Sequence, residues 1–464
     1  MTEAALKAVT RGQPAALAGI AAMIRGGAAR TVLLVGPAAS GKTTLALDLA
    51  AGLLCRDLDP GARPCRSCRG CRLVESGNHP DLHRLAPDGP GGQVRIGAAD
   101  GSEPGTVRNL IGELALLSVE GGARVAIVEQ AHRLNDDAQN ALLKLLEEPP
   151  TGVTIVLCAD DEEALLPTVR SRCARIRLGT ASTREIEAWL GEMGAADAPT
   201  AARLARLAGG RPGLALAYAR SRNAARLRGE LARGLIDMLG MHRADRLAAV
   251  RDLLKSAAAL DAALAETRGS LAPAEPAGGT ARGRGRRARG AAAGPAGAQH
   301  SATSGADMAV VDAAPVSPGI PGDSATPAES DNPDADSGAE GVAARTPASA
   351  RRAAAATLIE TWTAVARDLL VAGAGGGRSL REAELMDEIR AAAPHVDRAA
   401  LLRFIDRVNW VAAQADANVS PELSLDVLAL EWPHDTGAAA AEVARRTARH
   451  GPGPAKGPGQ DAES

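Results

Sequence analysis

The sequence predicts an α/β domain with a parallel sheet, followed by a small helical unit and a larger all-helical one. Three observations carry this. Through about residue 179, short apolar runs alternate with helical patterns, as parallel sheets require. One such run, Thr31–Val35, passes straight into a glycine-rich phosphate-loop pattern. Beyond residue 180 only helical periodicity returns, and the 464 residues suit about three domains at roughly 150 residues each.

The strands come first. Thr31–Val35, Arg124–Val128 and Val153–Leu157 read as buried strands bounded by turn signals. Residues 136–148 read as an amphipathic helix stopped by Pro149 and Pro150, because proline cannot continue a helix. Residues 180–221 form the small helical unit, with Thr183 as the expected cap of a helix starting at Arg184. Gly209, Gly210, Arg211, Pro212 and Gly213 mark a turn, and Pro212 suits the first turn of the next helix. Residues 222–267 and 351–435 form the larger helical unit.

Between these halves, residues 268–350 are rich in Ala, Gly, Pro and Ser. They carry too few large apolar residues to offset the entropy of ordering, so disorder is expected. The segment opens basic, with Arg282, Arg284, Arg286, Arg287 and Arg289, and turns acidic later. A solvated linker is favoured over a nucleic-acid contact. Residues 436–464 read as a flexible tail.

Apolar residues make up 45 % of the chain, but aromatics are limited to Phe404, Tyr218 and four tryptophans. The core is therefore expected to consist of Ala, Leu, Val and Ile. A net charge of −2 gives no bulk sign of a nucleic-acid partner. The N-terminal residues lack the charged and apolar regions of a secretory signal, and no apolar run nears the ~20 residues of a bilayer span. A cytoplasmic place with no membrane partner is expected, where thiols stay reduced.

The phosphate loop is Gly36, Pro37, Ala38, Ala39, Ser40, Gly41, Lys42 and Thr43, with Thr44 opening the following helix. Its backbone N–H groups and the helix N-terminus make an anion site. Lys42 would meet the β- and γ-phosphates of ATP and Thr43 the Mg²⁺. Hydrolysis also needs acids at the end of a second strand. Here Glu129 stands at the metal position, and Gln130 stands where a water-activating carboxylate belongs. An amide is a poor general base, so nucleotide binding with weak or absent turnover is expected.

Four cysteines follow: Cys55, Cys65, Cys68 and Cys71. Four thiolates can close a tetrahedral Zn²⁺ site of the structural kind. The arginines around them favour thiolates. A redox or disulfide pair is the rival reading, disfavoured in a reduced compartment. His79 and His83 lie close by but are not needed as ligands. Cys158 reads as a small apolar residue at a strand end.

Together these motifs resemble a known family. The P-loop, the four-cysteine insert, the run from Asn140 through Leu145, Glu147 and Glu148 to Pro150, and the run from Leu166 to Ser171, Arg172 and Cys173 look like the AAA+ subunits of the bacterial DNA polymerase III clamp loader. The likeness covers residues 15–220 and resumes at 418–430. It implies an AAA+ domain (1–179, zinc insert 55–71), a helical lid (180–221) and a helical collar (222–267 plus 351–435), with 268–350 splitting the collar after its first helix. It also implies that Arg172 is presented to the ATP site of a neighbouring subunit, where a guanidinium stabilises phosphoryl charge.

The departures favour the delta-prime type over the gamma/tau motors. They are Glu129–Gln130, the absence of a hydroxyl-bearing sensor in Leu157–Asp161, and the turn at Arg211, which resembles the delta-prime form of the second sensor and is counted with the nucleotide-binding residues. The implied partners are gamma/tau and delta subunits, with the sliding clamp and primed DNA reached through the complex. A gamma/tau-like motor is the alternative, kept open by the intact P-loop. A polymerase catalytic subunit is disfavoured, since no paired aspartates are placed for two-metal nucleotidyl transfer.

Overall fold

The computed structural model describes residues 6–26, 30–87, 92–120, 122–269, 348–414 and 420–435. All of these fall in one compact unit, residues 1–273 with 346–464. The segment expected to be disordered lies outside the described residues except at its edges, and the expected tail lies wholly outside them.

Five strands form the sheet: β1 (Thr31–Val35), β2 (Leu82–Leu85), β3 (Arg124–Val128), β4 (Val153–Ala159) and β5 (Ala174–Arg177). They are ordered β2-β3-β4-β1-β5, and every pairing is parallel. The register sets Thr31 against Ile155 and Val35 against Ala159, so β1 and β4 end side by side. Helices cover both faces, which is why β1, β3 and β4 read as unbroken apolar runs. On one face pack α1 (Pro14–Ile24) and α2 (Lys42–Leu53). On the other lie α4 (Val107–Ala115) and α5 (Asp136–Glu147), while α3 (Arg69–Glu75) sits against α2. The cores on the two faces hold no aromatic residue.

β4 runs two residues past the expected end. β2 and β5 were not expected: each has four residues, and β5 (Ala-Arg-Ile-Arg) is mostly exposed at the sheet edge. The short α6 (Pro167–Arg170) precedes β5.

The lid comprises α7 (Thr183–Glu192), α8 (Ala198–Leu207) and α9 (Pro212–Arg220). The cap of α7 is Ser182, not Thr183. Ser182 accepts from the Glu185 N–H at 3.2 Å, and Glu185 accepts from the Ser182 N–H at 2.9 Å. This reciprocal pair satisfies two N–H groups at once, which Thr183 could not do. Pro212 occupies the first turn of α9, as expected.

The collar comprises α10 (Arg222–Asp237), α11 (Arg243–Gly269), α12 (Ala348–Gly373), α13 (Met386–Ala392), α14 (Arg398–Gln414) and α15 (Pro421–Glu431). Two helices, not one, therefore precede the interruption. Both α11 and α12 also run into the segment expected to be disordered, to Gly269 and from Ala348. The start of α12 is alanine-rich and a good helix former, and the two helices pack on each other.

Three of the six aromatics meet in the collar core. Trp362, Phe404 and Trp432 have ring centroids 4.7–5.7 Å apart at tilted and edge-on angles. Arg246 is fully buried beside them and donates to the carbonyls of Leu239, Trp432 and Pro433, tying the end of α15 to α11. Among the described residues, no helix is long and apolar enough to cross a membrane.

Candidate functional site

The P-loop begins where β1 and β4 end, with the Gly36 N–H donating to Ala159 O at 3.3 Å. Ala39 and Gly41 take left-handed backbone angles, φ 60° and 102°, which turn the loop back on itself. Gly41 caps α2 with no side-chain hydrogen bond, so the first N–H groups of α2 keep their anion-binding character. The Ser40 hydroxyl is buried and unpaired. The N-terminus of α9 closes over the loop, where the Gly213 N–H donates to Ala39 O at 3.0 Å. A side chain on Gly213 would stand 3.0 Å from that oxygen, so glycine permits the approach. Backbone and orphaned hydroxyl together fit a phosphate.

The charges around this cradle are already answered. Lys42 is buried, and its ammonium donates to Gly36 O at 2.6 Å and Pro37 O at 2.7 Å, and pairs with Asp160 Oδ1 at 2.6 Å. Glu129, at the end of β3, takes both Nε (2.9 Å) and Nη2 (2.5 Å) of Arg84 on one oxygen. Gln130 follows in a left-handed conformation, φ 48°. Arg211, counted with the nucleotide residues from sequence, donates to Ala208 O at 3.1 Å and pairs with Glu360 of α12, joining lid to collar. Burial opposes the Glu360 charge, but the Arg211 contact holds its carboxyl below the usual range. Cys158 is fully buried in β4, and burial pushes its thiol up to about 12.

The four cysteines converge as expected, with their sulfurs all within 4.8 Å of one another. The Cys55 and Cys68 sulfurs are 3.9 Å apart, and a tetrahedron of ~2.3 Å Zn–S bonds has edges of about 3.8 Å. Backbone N–H groups of Cys65, Cys68 and Cys71 point at neighbouring sulfurs from 3.3–3.4 Å. The Ser67 hydroxyl and nearby N–H groups lower Cys65 to about 6, whereas burial raises Cys55 and Cys71. This donor set fits a structural zinc, whose charge would favour all four thiolates.

His79 and His83 are engaged elsewhere. His79 accepts from the Asp81 N–H at 3.1 Å, and His83 meets Glu113 at 2.8 Å. The insert docks on α2 at Gly70, where an added Cβ would sit 2.4 Å from Leu54 O.

Arg172 lies at the other end of the sheet. Its carbonyl accepts from Thr31 Oγ1 at 2.6 Å, at the start of β1, whereas the P-loop follows the end of β1. Its guanidinium is part-exposed, bonded to Glu147 of α5 at 2.7 Å and to Thr168 O at 2.8 Å. Arg30, Pro149 and Ser171 border it in a shallow, open recess.

Sequence reasoning missed Arg84 and Asp160. Asp160 was noted only as part of a stretch lacking hydroxyls. Its charge, one residue beyond the strand beside the P-loop strand, was the available signal. Arg84 lay in a strand that was not expected.

A parallel sheet with the P-loop strand between β4 and β5, and a helical lid over the loop, defines an AAA+ domain. Residues 12–182 match the family described as DNA polymerase III, delta subunit. Over 147 residues the chain is 37 % identical to DNA polymerase III subunit delta' of Pseudomonas aeruginosa, covering 32 % of this chain and 42 % of that protein. With the Escherichia coli delta' it shares 36 % over 177 residues, 38 % of this chain and 50 % of that one. The Escherichia coli tau subunit matches at 32 % over 154 residues, 33 % of this chain and 22 % of that one. This N-terminal part of the chain is thus similar to DNA polymerase III delta-prime subunits.

The chain spans about half the length, or less, of the curated delta' relatives it matches. A Thermotoga maritima gamma subunit-related protein is similar in structure at TM-score 0.30 and 17 % identity, covering 56 % of this chain and 93 % of that one. At that score the likeness adds nothing to the fold read from the strand order.

Proposed function

We propose that this chain is a delta-prime-type subunit of the DNA polymerase III clamp loader. It helps to place a sliding clamp on primed DNA during replication, in the cytoplasm, beside gamma/tau and delta subunits. It braces the complex and contributes Arg172 to a neighbour's ATP site. Clamp and DNA are reached through the assembly. The cysteines hold a structural zinc that fixes the insert. The P-loop residues 36–44, with Glu129, keep the outline of a Mg²⁺–nucleotide site without its turnover chemistry.

One observation carries the reading. Arg172 is anchored at the start of β1 and the P-loop lies past its end, a step of about 13 Å at 3.3 Å per residue. Arg172 therefore lies apart from its own P-loop, which supports a role toward another molecule. A gamma/tau-like motor is the second reading, favoured by the complete P-loop pattern. Clamp- and DNA-stimulated ATP hydrolysis by the reconstituted complex separates the two. The brace predicts loss with Arg172→Ala and little change with Lys42→Ala, and the motor predicts the reverse.

A further inference from the structure

We infer that Asp160 acts as a built-in competitor for phosphate, holding the P-loop lysine so that the site takes nucleotide poorly despite its complete motif. An ammonium has three N–H donors. Those of Lys42 meet three acceptors, Gly36 O, Pro37 O and Asp160 Oδ1, at 2.6–2.7 Å. None is left for a β- or γ-phosphate. The two carbonyls belong to the loop itself. Asp160 is the removable partner, and it alone brings a charge that cancels the lysine's.

The fold sets this contact. Val35 and Ala159 are paired neighbours at the ends of β1 and β4, so the residue after Ala159 emerges beside the P-loop. The Asp160 N–H donates to His132 Nδ1 at 3.1 Å, which fixes the backbone there. Its carboxylate then needs only its own short side chain to reach Lys42. The far side of the site repeats the arrangement, because Arg84 neutralises Glu129, the acid at the Mg²⁺ position. A Mg²⁺–nucleotide must therefore displace two ion pairs. The cradle's backbone is nonetheless intact, with the N-terminus of α2 uncapped and Ser40 Oγ unpaired. Among the described residues, the loop lysine and the acid at the metal position are both already paired.

This deepens the proposed brace role but is measured apart from it, on the isolated full-length chain. The probe is Mg-ATP in titration calorimetry. Asp160→Ala removes both charge and acceptor, and Asp160→Asn removes the charge alone. Both should bind Mg-ATP at least tenfold more tightly than the unaltered chain, with the alanine variant at least as tight as the asparagine variant. Adding Lys42→Ala to either should abolish the gain. Melting curves establish that the variants fold, and the near-isosteric asparagine variant serves if the alanine variant does not. The inference is overturned if neither folded variant gains affinity, or if the gain survives Lys42→Ala. Either result leaves the Arg172 test in the complex unaffected, so the two ideas fail separately.

Discussion

Arg66 of the cysteine insert pairs with Asp48 in the middle of the P-loop helix, and through it the insert holds the N-terminal segment. Asp48 is buried and accepts from the Val9 N–H (3.0 Å), the Thr10 N–H (2.9 Å) and the Thr10 hydroxyl (2.6 Å). Arg66 also donates to Lys7 O at 2.8 Å, from a left-handed backbone position (φ 63°) between Cys65 and Ser67. The metal loop, α2 and residues 7–10 thus share one polar knot.

Asp48→Ala should be costly, because it leaves three donors without their acceptor and takes one carboxylate from Arg66, which keeps only Glu75 and Lys7 O. Breaking such a pair from one side costs about 3 kcal/mol. Urea unfolding of the AAA+ domain reads the loss. Arg66→Ala should cost less, since the Asp48 carboxylate keeps its three hydrogen bonds from Val9 and Thr10. If the two variants are equally mild, the knot does not hold the domain together.

Metal content is the second expectation. Purified chain should carry one zinc, and Cys68→Ser should release it. Hydrogen exchange should then quicken at residues 6–10 and 65–71, because Arg66 loses its fixed loop. The collar should keep its protection, since its Trp362–Phe404–Trp432 core lies in a different hydrophobic cluster. Far less than one equivalent of metal after zinc-replete expression would refute the site.

Much of this was legible in the sequence, and the gaps have physical causes. The P-loop, the cysteine cluster and three central strands rest on local pattern, since buried parallel strands are apolar throughout. β5 escaped because an edge strand need not be apolar, and Arg175 and Arg177 hide it. The Lys42–Asp160 and Arg84–Glu129 pairs escaped because they join residues distant in sequence. Only the sheet order brings them together. The cap at Ser182 was one residue from the expected Thr183, since neighbouring hydroxyls differ only in which has Glu three residues on.

Acid should weaken the collar through His434. This imidazole accepts an Arg246 N–H on Nδ1 at 2.9 Å. Partial desolvation at this largely exposed ring, then Arg246, Arg243 and His242, hold its pKa below the ordinary 6.5. The unfolded chain therefore binds the proton first, and stability rises with pH across this window. The contribution is complete above 6.5 and is lost as pH falls from there through the folded value. Guanidinium melts at a series of pH values should show this slope, and His434→Asn should flatten it. An unchanged slope in that variant would place the acid sensitivity elsewhere.

Replacing residues 270–347 with a linker of about 2–8 residues should leave both the fold and assembly intact. α11 ends at Gly269 and α12 begins at Ala348. Thr357 bonds Asp261 at 2.6 Å, eight to nine residues from those ends, so the two helices form an antiparallel hairpin with adjacent tips. A linker of about 2–8 residues closes such a hairpin. The shortened chain should melt at the same temperature and still join its partner subunits. Loss of assembly with an unchanged melt would assign a docking role to the removed segment.

The last expectation ranks three variants in the assembled clamp loader. Arg172 is bonded to Glu147 and Thr168 O, at the end of the sheet remote from its own P-loop. Truncating it should leave folding and assembly unchanged, because its contacts are part-exposed and such pairs contribute little. An arginine finger contributes ~10³–10⁵ in rate in favourable phosphoryl-transfer systems. Total turnover by a complex with several ATP sites should fall by less, since one neighbour alone depends on this arginine. Glu147→Gln should lower turnover in the same direction and more mildly, by releasing the guanidinium from its rest position. Lys42→Ala should barely register, because Asp160 already occupies that lysine and Gln130 is a poor general base. If Lys42→Ala instead abolishes hydrolysis while Arg172→Ala is silent, the chain is a motor, and both the brace role and the weight placed on Gln130 fall together.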